Sequence, residues 1–203
     1  MIIGIILAAG KSTRFGSDKR RSLLTNGCSV LEQTIKNTSA AVEQCIVVLR
    51  ANDQPFADDL RQAINNPAIK FFLAPDSAAG MAHSLANIIG QLPTCDGAMI
   101  FLGDMPYLED TTIKQLLAAF EERKKEAPII VPTMLTVDKE GALEKLSGHP
   151  VIFSSVYFQE LTQLTGDNGA KPIITAHKDR VTRITVEDQG ILKDVDRPSD
   201  IVL

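Results

Sequence analysis

The stretch IIGIILAAGKSTRFGSDK occupies residues 2–19 and begins as a short apolar run that ends on small residues. Such a run, stopped by glycine, predicts a buried strand over residues 2–8 that leads directly into a loop. Small side chains at positions 8–10 let a ligand approach the backbone, whose exposed amides can bind an anion. Arg14 and Lys19 add positive charge suited to phosphate oxygens. The stretch is either a phosphate-binding loop or an ordinary turn with two surface cations.

Further apolar runs alternate with stretches of helical periodicity along the chain. Strands are predicted at residues 45–49, 69–73, 98–102, 128–132, 150–153 and 181–186. Helices are predicted within residues 31–42, 56–64, 85–92, 113–120, 154–164 and 171–177. Residues 133–147 break the pattern and predict an extended excursion or a hairpin. The alternation predicts an α/β fold with three layers, in which a Rossmann-like, mostly parallel sheet carries helices on both faces and binds ligands at its carboxyl edge.

The composition predicts one globular domain spanning residues 1–203, with 44% hydrophobic and 23% charged residues. A net charge of -4 and only 5% aromatic residues leave no basic surface for nucleic acid. The apolar N-terminal run is too short to span a membrane and lacks the basic residues that begin a signal peptide. The three cysteines show neither disulfide-framework nor zinc-site spacing, so we expect a cytoplasmic protein.

Acidic residues occur in two motifs that are far apart in the sequence. Asp104, in the segment GDMP, directly follows a predicted strand, and carboxylates at such positions are suitable Mg²⁺ ligands. Asp194 and Asp196, in the segment KDVDRP, would share a face if that segment is a strand. The alternatives are that Asp104 caps a turn before proline and that Asp194 is a solvated surface residue.

Three other segments combine glycine with polar residues. Residues 80–85, GMAHSL, predict a helix start whose amides meet an anion or a base edge, or else a simple cap. Residues 148–153, GHPVIF, and residues 164–170, LTGDNGA, place His149 and Asp167 near predicted turns. The alternatives are a packed turn histidine and a cap for the next helix.

Together these motifs resemble those of the MobA-like nucleotidyltransferases, from residue 3 to residue 200. The first loop matches the family pattern L-A-[AG]-G-x-S-x-R-x-G-x-x-K. The later segments match G-[LM]-x-x-S-[LI], G-D-M-P, G-H-P-V-x-F and L-x-G-D-x-G-A. The segment KDVDRP is similar to D-I-D-T-P, with Arg197 in place of threonine. The resemblance implies the fold of the nucleotide-diphospho-sugar transferases.

The resemblance also implies roles for individual residues. Catalysis is expected from Arg14, Lys19 and Asp104. Nucleotide binding is expected from Leu7, Ala8, Ala9, Gly10, Arg14, Lys19, Gly80, Ser84 and Gly103. The acceptor is expected to meet His149, Pro150, Gly166 and Asp167. The expected metal ligands are Asp104 and Asp196, holding Mg²⁺ or alternatively Mn²⁺.

The segments LAAG and GHPVxF resemble the branch of the family that transfers CMP from CTP to molybdopterin with release of pyrophosphate. The Ala9 methyl group occupies space that glycine would leave for a purine, which favours CTP. The implied partners are CTP, a molybdopterin-type acceptor, and a molybdoenzyme or its chaperone. Two alternatives remain open. One is a nucleotidyltransferase acting on a sugar or polyol phosphate, and the other is a non-catalytic nucleotide-binding accessory protein for molybdoenzyme maturation.

Overall fold

The computed structural model of the protein describes residues 1–10, 15–137 and 141–201. Its strands are β1 Ile2–Leu7, β2 Gln44–Arg50, β3 Ile69–Ala74, β4 Gly97–Leu102, β5 Ile129–Val137, β6 Leu143–Ser147, β7 Val151–Ser154 and β8 Val181–Thr185. Its helices are α1 Val30–Ser39, α2 Gln54–Ile64, α3 Met81–Ile89, α4 Asp110–Arg123, α5 Phe158–Leu161 and α6 Lys171–Ala176. Within the described residues, no helix is long and apolar enough to cross a membrane.

All of these strands join one eight-stranded sheet in the order β3-β2-β1-β4-β7-β5-β6, with β8 also paired to β5. β1 runs parallel to β2 and β4, β2 runs parallel to β3, and β8 runs parallel to β5. β7 is antiparallel to both of its neighbours, and β6 is antiparallel to β5. The predicted mostly parallel α/β sheet is therefore confirmed, with antiparallel strands in its second half.

Apolar side chains from both faces of the sheet pack under helices, as the predicted three layers require. In β1, Ile5 and Leu7 point to the face covered by α3, α5 and α6. Ile6 points to the opposite face, where α1, α2 and α4 pack. Successive residues of a strand point to opposite faces, so a run that is apolar throughout fits a strand buried on both sides.

β2 lies on one side of β1, and β4, which follows later in the chain, lies on the other side. Ligand sites of open α/β sheets lie where the strand order diverges in this way. Gly103, just after β4, donates its N–H to the Leu7 carbonyl at the end of β1, over 2.9 Å. The loops that follow β1 and β4 consequently lie side by side.

Two local predictions were wrong. The helix expected over residues 154–164 is a 3-10 turn, Ser155–Tyr157, followed by the short α5. The Ser154 hydroxyl donates to the Pro128 carbonyl, over 2.8 Å, and makes no cap hydrogen bond. The segment around Asp194 and Asp196 is irregular rather than a strand. Residues 133–147 contain the antiparallel pair of β5 and β6, and residues 138–140 lie outside the described ranges.

The close approach at Gly103 is open to a direct test. A β-carbon at this position would lie 2.7 Å from the Ala8 β-carbon and 3.1 Å from the Leu7 carbonyl oxygen. We expect Gly103→Ala to lower the free energy of unfolding by about 1–3 kcal/mol, because overpacking displaces backbone. Urea denaturation measures the change. Gly90→Ala is the matched control, since its β-carbon would meet nothing closer than 3.7 Å. Equal stability of the two variants would contradict the proposed close approach.

Candidate active site

A cleft of about 530 Å³ lies at the carboxyl ends of β1 and β4. The cleft is lined by the end of β1 and the loop after that strand, the turn before α3, the loop after β4 and the C-terminal segment. The predicted nucleotide-binding residues that line this cleft are Leu7, Ala8, Ala9, Gly10, Lys19, Gly80, Ser84 and Gly103. Asp104, Asp167, Asp194 and Asp196 also line it. Arg14, predicted to bind the nucleotide and to act in catalysis, lies outside the described residues.

Three carboxylates converge in the cleft although they come from distant parts of the sequence. One oxygen each from Asp104, Asp194 and Asp196 lies within 4.8 Å of the others. The Val195 N–H donates to the Asp104 carbonyl over 2.9 Å, and the Val195 side chain is fully buried in a small cluster with Leu24. Burial of Val195 therefore brings the two flanking aspartates to the loop after β4.

The turn that follows holds the C-terminal segment in its irregular conformation. A side-chain oxygen of Asp200 accepts hydrogen bonds from the N–H groups of Asp196 and Arg197, at 3.0 and 2.7 Å. These N–H groups bond a local carboxylate instead of a neighbouring strand, which explains why no strand forms here. The two aspartates converge through this local turn and the buried Val195, and not through a shared strand face.

Lys19 lies between two of these carboxylates. Its Nζ is 2.6 Å from Asp104 Oδ2 and 2.9 Å from Asp196 Oδ1. Burial alone would lower the pKa of Lys19, but the ion pairs with Asp104 and Asp196 outweigh it and raise the pKa above its ordinary value. The lysine therefore remains charged at neutral pH and balances part of the negative charge in the cleft.

The donor set fits a divalent cation. Asp104 Oδ1 is buried and has no hydrogen-bond partner among the described residues. Burial raises the pKa of Asp194, and the nearby charges of Asp104 and Asp196 add to the shift. A cation between the carboxylates would offset this repulsion and supply a partner for the unpaired oxygen. Asp194 lies in the same acidic group as the predicted pair and is exposed to solvent, so its solvated role remains an alternative.

Arg20, which the sequence analysis did not single out, binds Ala8 at the start of the first loop and Asp18 near its end. It is buried and binds Asp18 through Nε and Nη2, at 2.8 and 2.7 Å, while its Nη1 pairs with Asp53. The same Nη1 donates to the Ala8 carbonyl over 2.9 Å. The guanidinium also lies 4.8 Å from the centre of the Phe56 ring. The contact with Asp53 in the turn before α2 depends on the fold, so sequence spacing gave no signal for it.

Arg50 makes a second contact of this kind, donating from Nη2 to the Gly10 carbonyl. Two arginines thus bind carbonyl groups of the loop. Because each of these two carbonyls already accepts a hydrogen bond from an arginine, neither needs a cation in the cleft as a partner. The arrangement stabilises one conformation of the backbone that lines the cleft.

The role of Arg20 predicts a large effect on stability. Arg20→Met removes the guanidinium that pairs with both Asp18 and Asp53, and breaking a buried ion pair from one side costs about 3–5 kcal/mol. We expect the free energy of unfolding to fall by about 3 kcal/mol in urea denaturation. The matched control is Arg21→Met, at the exposed neighbour that also lies over Phe56. The control should change stability by less than about 1 kcal/mol, and similar losses in both variants would argue against the buried network.

A second cavity of about 500 Å³ adjoins the cleft. We call it the side cavity and define it by its lining residues, which are Leu7, Met81, Leu85, Ile100, Leu102, Val131, Ser147, Gly148, His149, Val151, Phe153, Asp167, Asn168, Gly169, Ala170, Lys171, Ile174, Thr175 and Arg183. Of the predicted acceptor residues, His149 and Asp167 line it. Pro150 is buried, and Gly166 accepts a hydrogen bond from the Ala82 N–H at the start of α3, over 3.2 Å.

Gly80 permits close contact between the cleft and the segment that carries Asp167. Its φ is +127°, and a β-carbon there would lie 2.7 Å from the Gly166 carbonyl oxygen. Only glycine combines this backbone conformation with so close a neighbour. The alternative in which Gly166-Asp167 caps the next helix is wrong, because α6 has Ala170 at its N-cap and no side-chain cap bond.

His149 lies in the side cavity with its Nδ1 buried and, among the described residues, without a hydrogen-bond partner. Burial lowers the pKa of His149 below its ordinary value of 6.5, and the charge of Lys171 contributes to the decrease. The folded protein therefore favours the neutral imidazole.

This shift predicts a pH dependence of stability. Below about pH 6.5 the unfolded chain binds a proton at His149 that the folded chain resists, so stability falls as the pH decreases toward the lower folded pKa. When the pH is lowered from about 7.5 to 5.5, we expect the free energy of unfolding to fall less in His149→Gln than in wild type. The difference should reach about 1.4 kcal/mol for each unit by which the pKa of His149 differs between the folded and the unfolded chain. Chemical denaturation at both pH values measures this. Identical pH dependence in the two proteins would contradict the buried neutral histidine.

Comparison with known proteins assigns the chain to a family. Residues 4–181 match the MobA-like NTP transferase domain. The chain belongs to this family. It is therefore a nucleotidyltransferase of the MobA-like type, with a nucleotide as substrate, and the resemblance noted from its motifs is confirmed.

Individual relatives extend along nearly the whole chain. The purine catabolism protein PucB of Bacillus subtilis is 24% identical over 206 residues, covering 98% of this chain and 93% of PucB. The crystal structure of Rv0371c from Mycobacterium tuberculosis is 26% identical with a TM-score of 0.74, covering 98% of this chain and 94% of that one. A structure of Rv0371c in complex with manganese is similar, at 26% identity and a TM-score of 0.72, covering 98% of this chain and 95% of that one.

Proposed function

We propose that this protein transfers CMP from CTP to a molybdopterin-type acceptor and releases pyrophosphate. The observation that supports the proposal is the arrangement of charges around one cleft. The Lys19 ammonium and the carboxylates of Asp104, Asp194 and Asp196 face the same space as the small residues 8–10. A triphosphate with its divalent cation requires this combination of a backbone that allows close approach, a positive charge and oxygen ligands.

The reaction is an in-line displacement at the α-phosphorus. A phosphate oxygen of the acceptor forms the new bond to phosphorus, and the bond between the α-phosphorus and the bridging oxygen of the β-phosphate breaks. Pyrophosphate leaves with the bonding electrons. Lys19 and, by the family motif, Arg14 stabilise the negative charge that grows on the phosphates. No covalent intermediate with the protein is needed, so Cys28, His83 and His149 need not act as nucleophiles.

Asp104 and Asp196 are the residues we assign to the metal, with Asp194 as a further carboxylate of the same group. Mg²⁺ is the proposed ion, and Mn²⁺ is the alternative supported by the manganese complex of Rv0371c. When bound, such an ion screens the charge of the phosphates and helps to orient them. Asp104 holds Lys19 through Oδ2, and its unpaired Oδ1 remains for the cation.

CTP is the proposed nucleotide because Ala9, one of the residues that line the cleft, carries a methyl group where glycine would leave more room. The turn Ser77–Ala79 and the residues Gly80 and Ser84 form the adjoining wall. We assign the base to this region. We also place the protein in the reducing cytoplasm, since all three cysteines are free thiols.

Activity measurements test the proposal directly. Pyrophosphate release is measured with CTP, GTP, ATP or UTP, in the presence of molybdopterin and Mg²⁺. We expect CTP to give the highest rate and Lys19→Met and Asp104→Asn to lower turnover by roughly two orders of magnitude, the usual scale for removing a positioned charge. Lys36→Met, at an exposed lysine of α1 paired with Glu32, is the control and should keep the wild-type rate. Normal rates in both site variants would refute the assignment.

Two other functions are distinguished by the same assay. A nucleotidyltransferase acting on a sugar or polyol phosphate would release pyrophosphate with such an acceptor and not with molybdopterin. An accessory protein for molybdoenzyme maturation would be stabilised by CTP against thermal unfolding but release no pyrophosphate with any acceptor. The likeness to PucB, whose name places that relative in purine catabolism, favours measuring binding to molybdoenzymes of purine breakdown in the second case.

A further inference from the structure

Asp188 is a buried acidic residue that lines neither the cleft nor the side cavity. A carboxylate inside a protein costs free energy unless hydrogen bonds replace the water that it loses. Its Oδ2 accepts from the Glu109 N–H over 3.0 Å, and its Oδ1 accepts from the Gly190 N–H over 2.6 Å. Hydrogen bonds to a carboxylate are stronger than those between neutral groups. Asp188 therefore holds these two backbone positions firmly.

The two hydrogen-bond donors belong to segments that are far apart in the sequence. Glu109 ends the loop of residues 103–109, which connects β4 with α4 and carries Asp104. Gly190 lies in a 3-10 turn of the segment that leads from β8 to the other two carboxylates of the cleft. One side chain thus joins the two segments that supply the acidic group.

Backbone contacts around Gly190 tighten this junction. A β-carbon at Gly190 would lie 2.4 Å from the Tyr107 carbonyl oxygen and 2.6 Å from the Leu108 α-carbon. The turn therefore packs directly on the loop after β4. On another side of the turn, the Ile191 carbonyl accepts a hydrogen bond from the His149 N–H over 3.0 Å. The position of the turn is consequently fixed before the chain reaches the acidic group.

The junction at Asp188 is the second connection between these segments. The first is the hydrogen bond from the Val195 N–H to the Asp104 carbonyl. A single hydrogen bond leaves two segments free to rotate about it, whereas two separate connections also fix their relative orientation. Repulsion between the carboxylates acts to separate the segments. A site that is assembled for only a fraction of the time binds its ligand more weakly in proportion to that fraction.

We infer that Asp188 is a positioning residue for the divalent cation, because it joins the loop after β4 to the segment after β8 and keeps Asp104 beside Asp194 and Asp196 in the cation-free protein. Asp188 does not touch the cation itself. It acts through the backbone of both segments and so maintains the spacing of the ligands before binding. This inference rests on the proposed function, since it takes the cation to bind at these carboxylates.

Binding of Mn²⁺ alone to the full chain tests the inference without any catalytic step. Electron paramagnetic resonance measures the free ion and hence the dissociation constant. We expect Asp188→Ala to raise this constant roughly tenfold, the lower end of the effect of removing a group that orients metal ligands. Asp188→Asn should give a smaller increase, because its amide oxygen accepts one hydrogen bond while its NH₂ group cannot accept the other. Wild-type affinity in both variants would overturn the inference.

Two control variants separate positioning from charge and from stability. Glu187→Ala removes a carboxylate from the exposed neighbouring residue and should leave the Mn²⁺ affinity unchanged. Tyr157→Phe removes the hydroxyl that donates to the Ala127 carbonyl over 2.9 Å, and Tyr157 lines neither cavity. This variant should lower stability in urea denaturation but keep the affinity for Mn²⁺. If either control weakens Mn²⁺ binding as much as Asp188→Ala does, the inference is wrong.

Asp104→Asn distinguishes failure of this inference from failure of the proposed function. If Mn²⁺ binds to wild type, binds weakly to Asp104→Asn and binds normally to both Asp188 variants, the inference about Asp188 fails alone. If wild type does not bind Mn²⁺, or if Asp104→Asn binds it as tightly as wild type, the assignment of the cation to this cleft fails and the inference fails with it.

Discussion

The hydrogen bond from the Val195 N–H to the Asp104 carbonyl fixes the geometry on which the rest of the site depends. It joins the C-terminal segment to the loop after β4, and the burial of the Val195 side chain stabilises it. Asp194 and Asp196 are the sequence neighbours of Val195, so burial of this one apolar residue forces both carboxylates toward Asp104. The favourable free energy of burying Val195 thus offsets the repulsion between the Asp104, Asp194 and Asp196 carboxylates.

Lys19 offsets part of that repulsion without occupying every carboxylate oxygen. It contacts Oδ2 of Asp104 and Oδ1 of Asp196, while Oδ1 of Asp104 stays buried without a partner among the described residues. A lysine and a divalent cation therefore do not need the same oxygen of Asp104. Because Lys19 follows Asp18 and precedes the buried Arg20, the network that joins Arg20 to Ala8 and Asp18 also positions the Lys19 ammonium.

The parts of this arrangement that could be predicted from sequence are those encoded locally. The apolar run of β1, the small residues after it and the position of Asp104 behind β4 follow from short patterns. Of the nucleotide-binding residues that the family resemblance implied, all but Arg14, which lies outside the described residues, line one cleft. Arg20 could not be recognised because its partner Asp53 lies on another loop. Helix α5 is shorter than its periodicity predicts. Tyr157, in the 3-10 turn before α5, is buried and its hydroxyl donates to the Ala127 carbonyl, so a distant contact shapes the segment.

The contact between Gly80 and Gly166 connects the wall of the cleft with the wall of the side cavity. Since the missing β-carbon of Gly80 leaves room for the Gly166 carbonyl, the turn that carries Asp167 can rest against the start of α3. The Ala82 N–H donates to that same carbonyl over 3.2 Å. Asp167 then lines both the cleft and the side cavity. A displacement of this turn would change the boundary of both spaces at once, so the position of Asp167 depends on the backbone contact at Gly80 as well as on its own side chain.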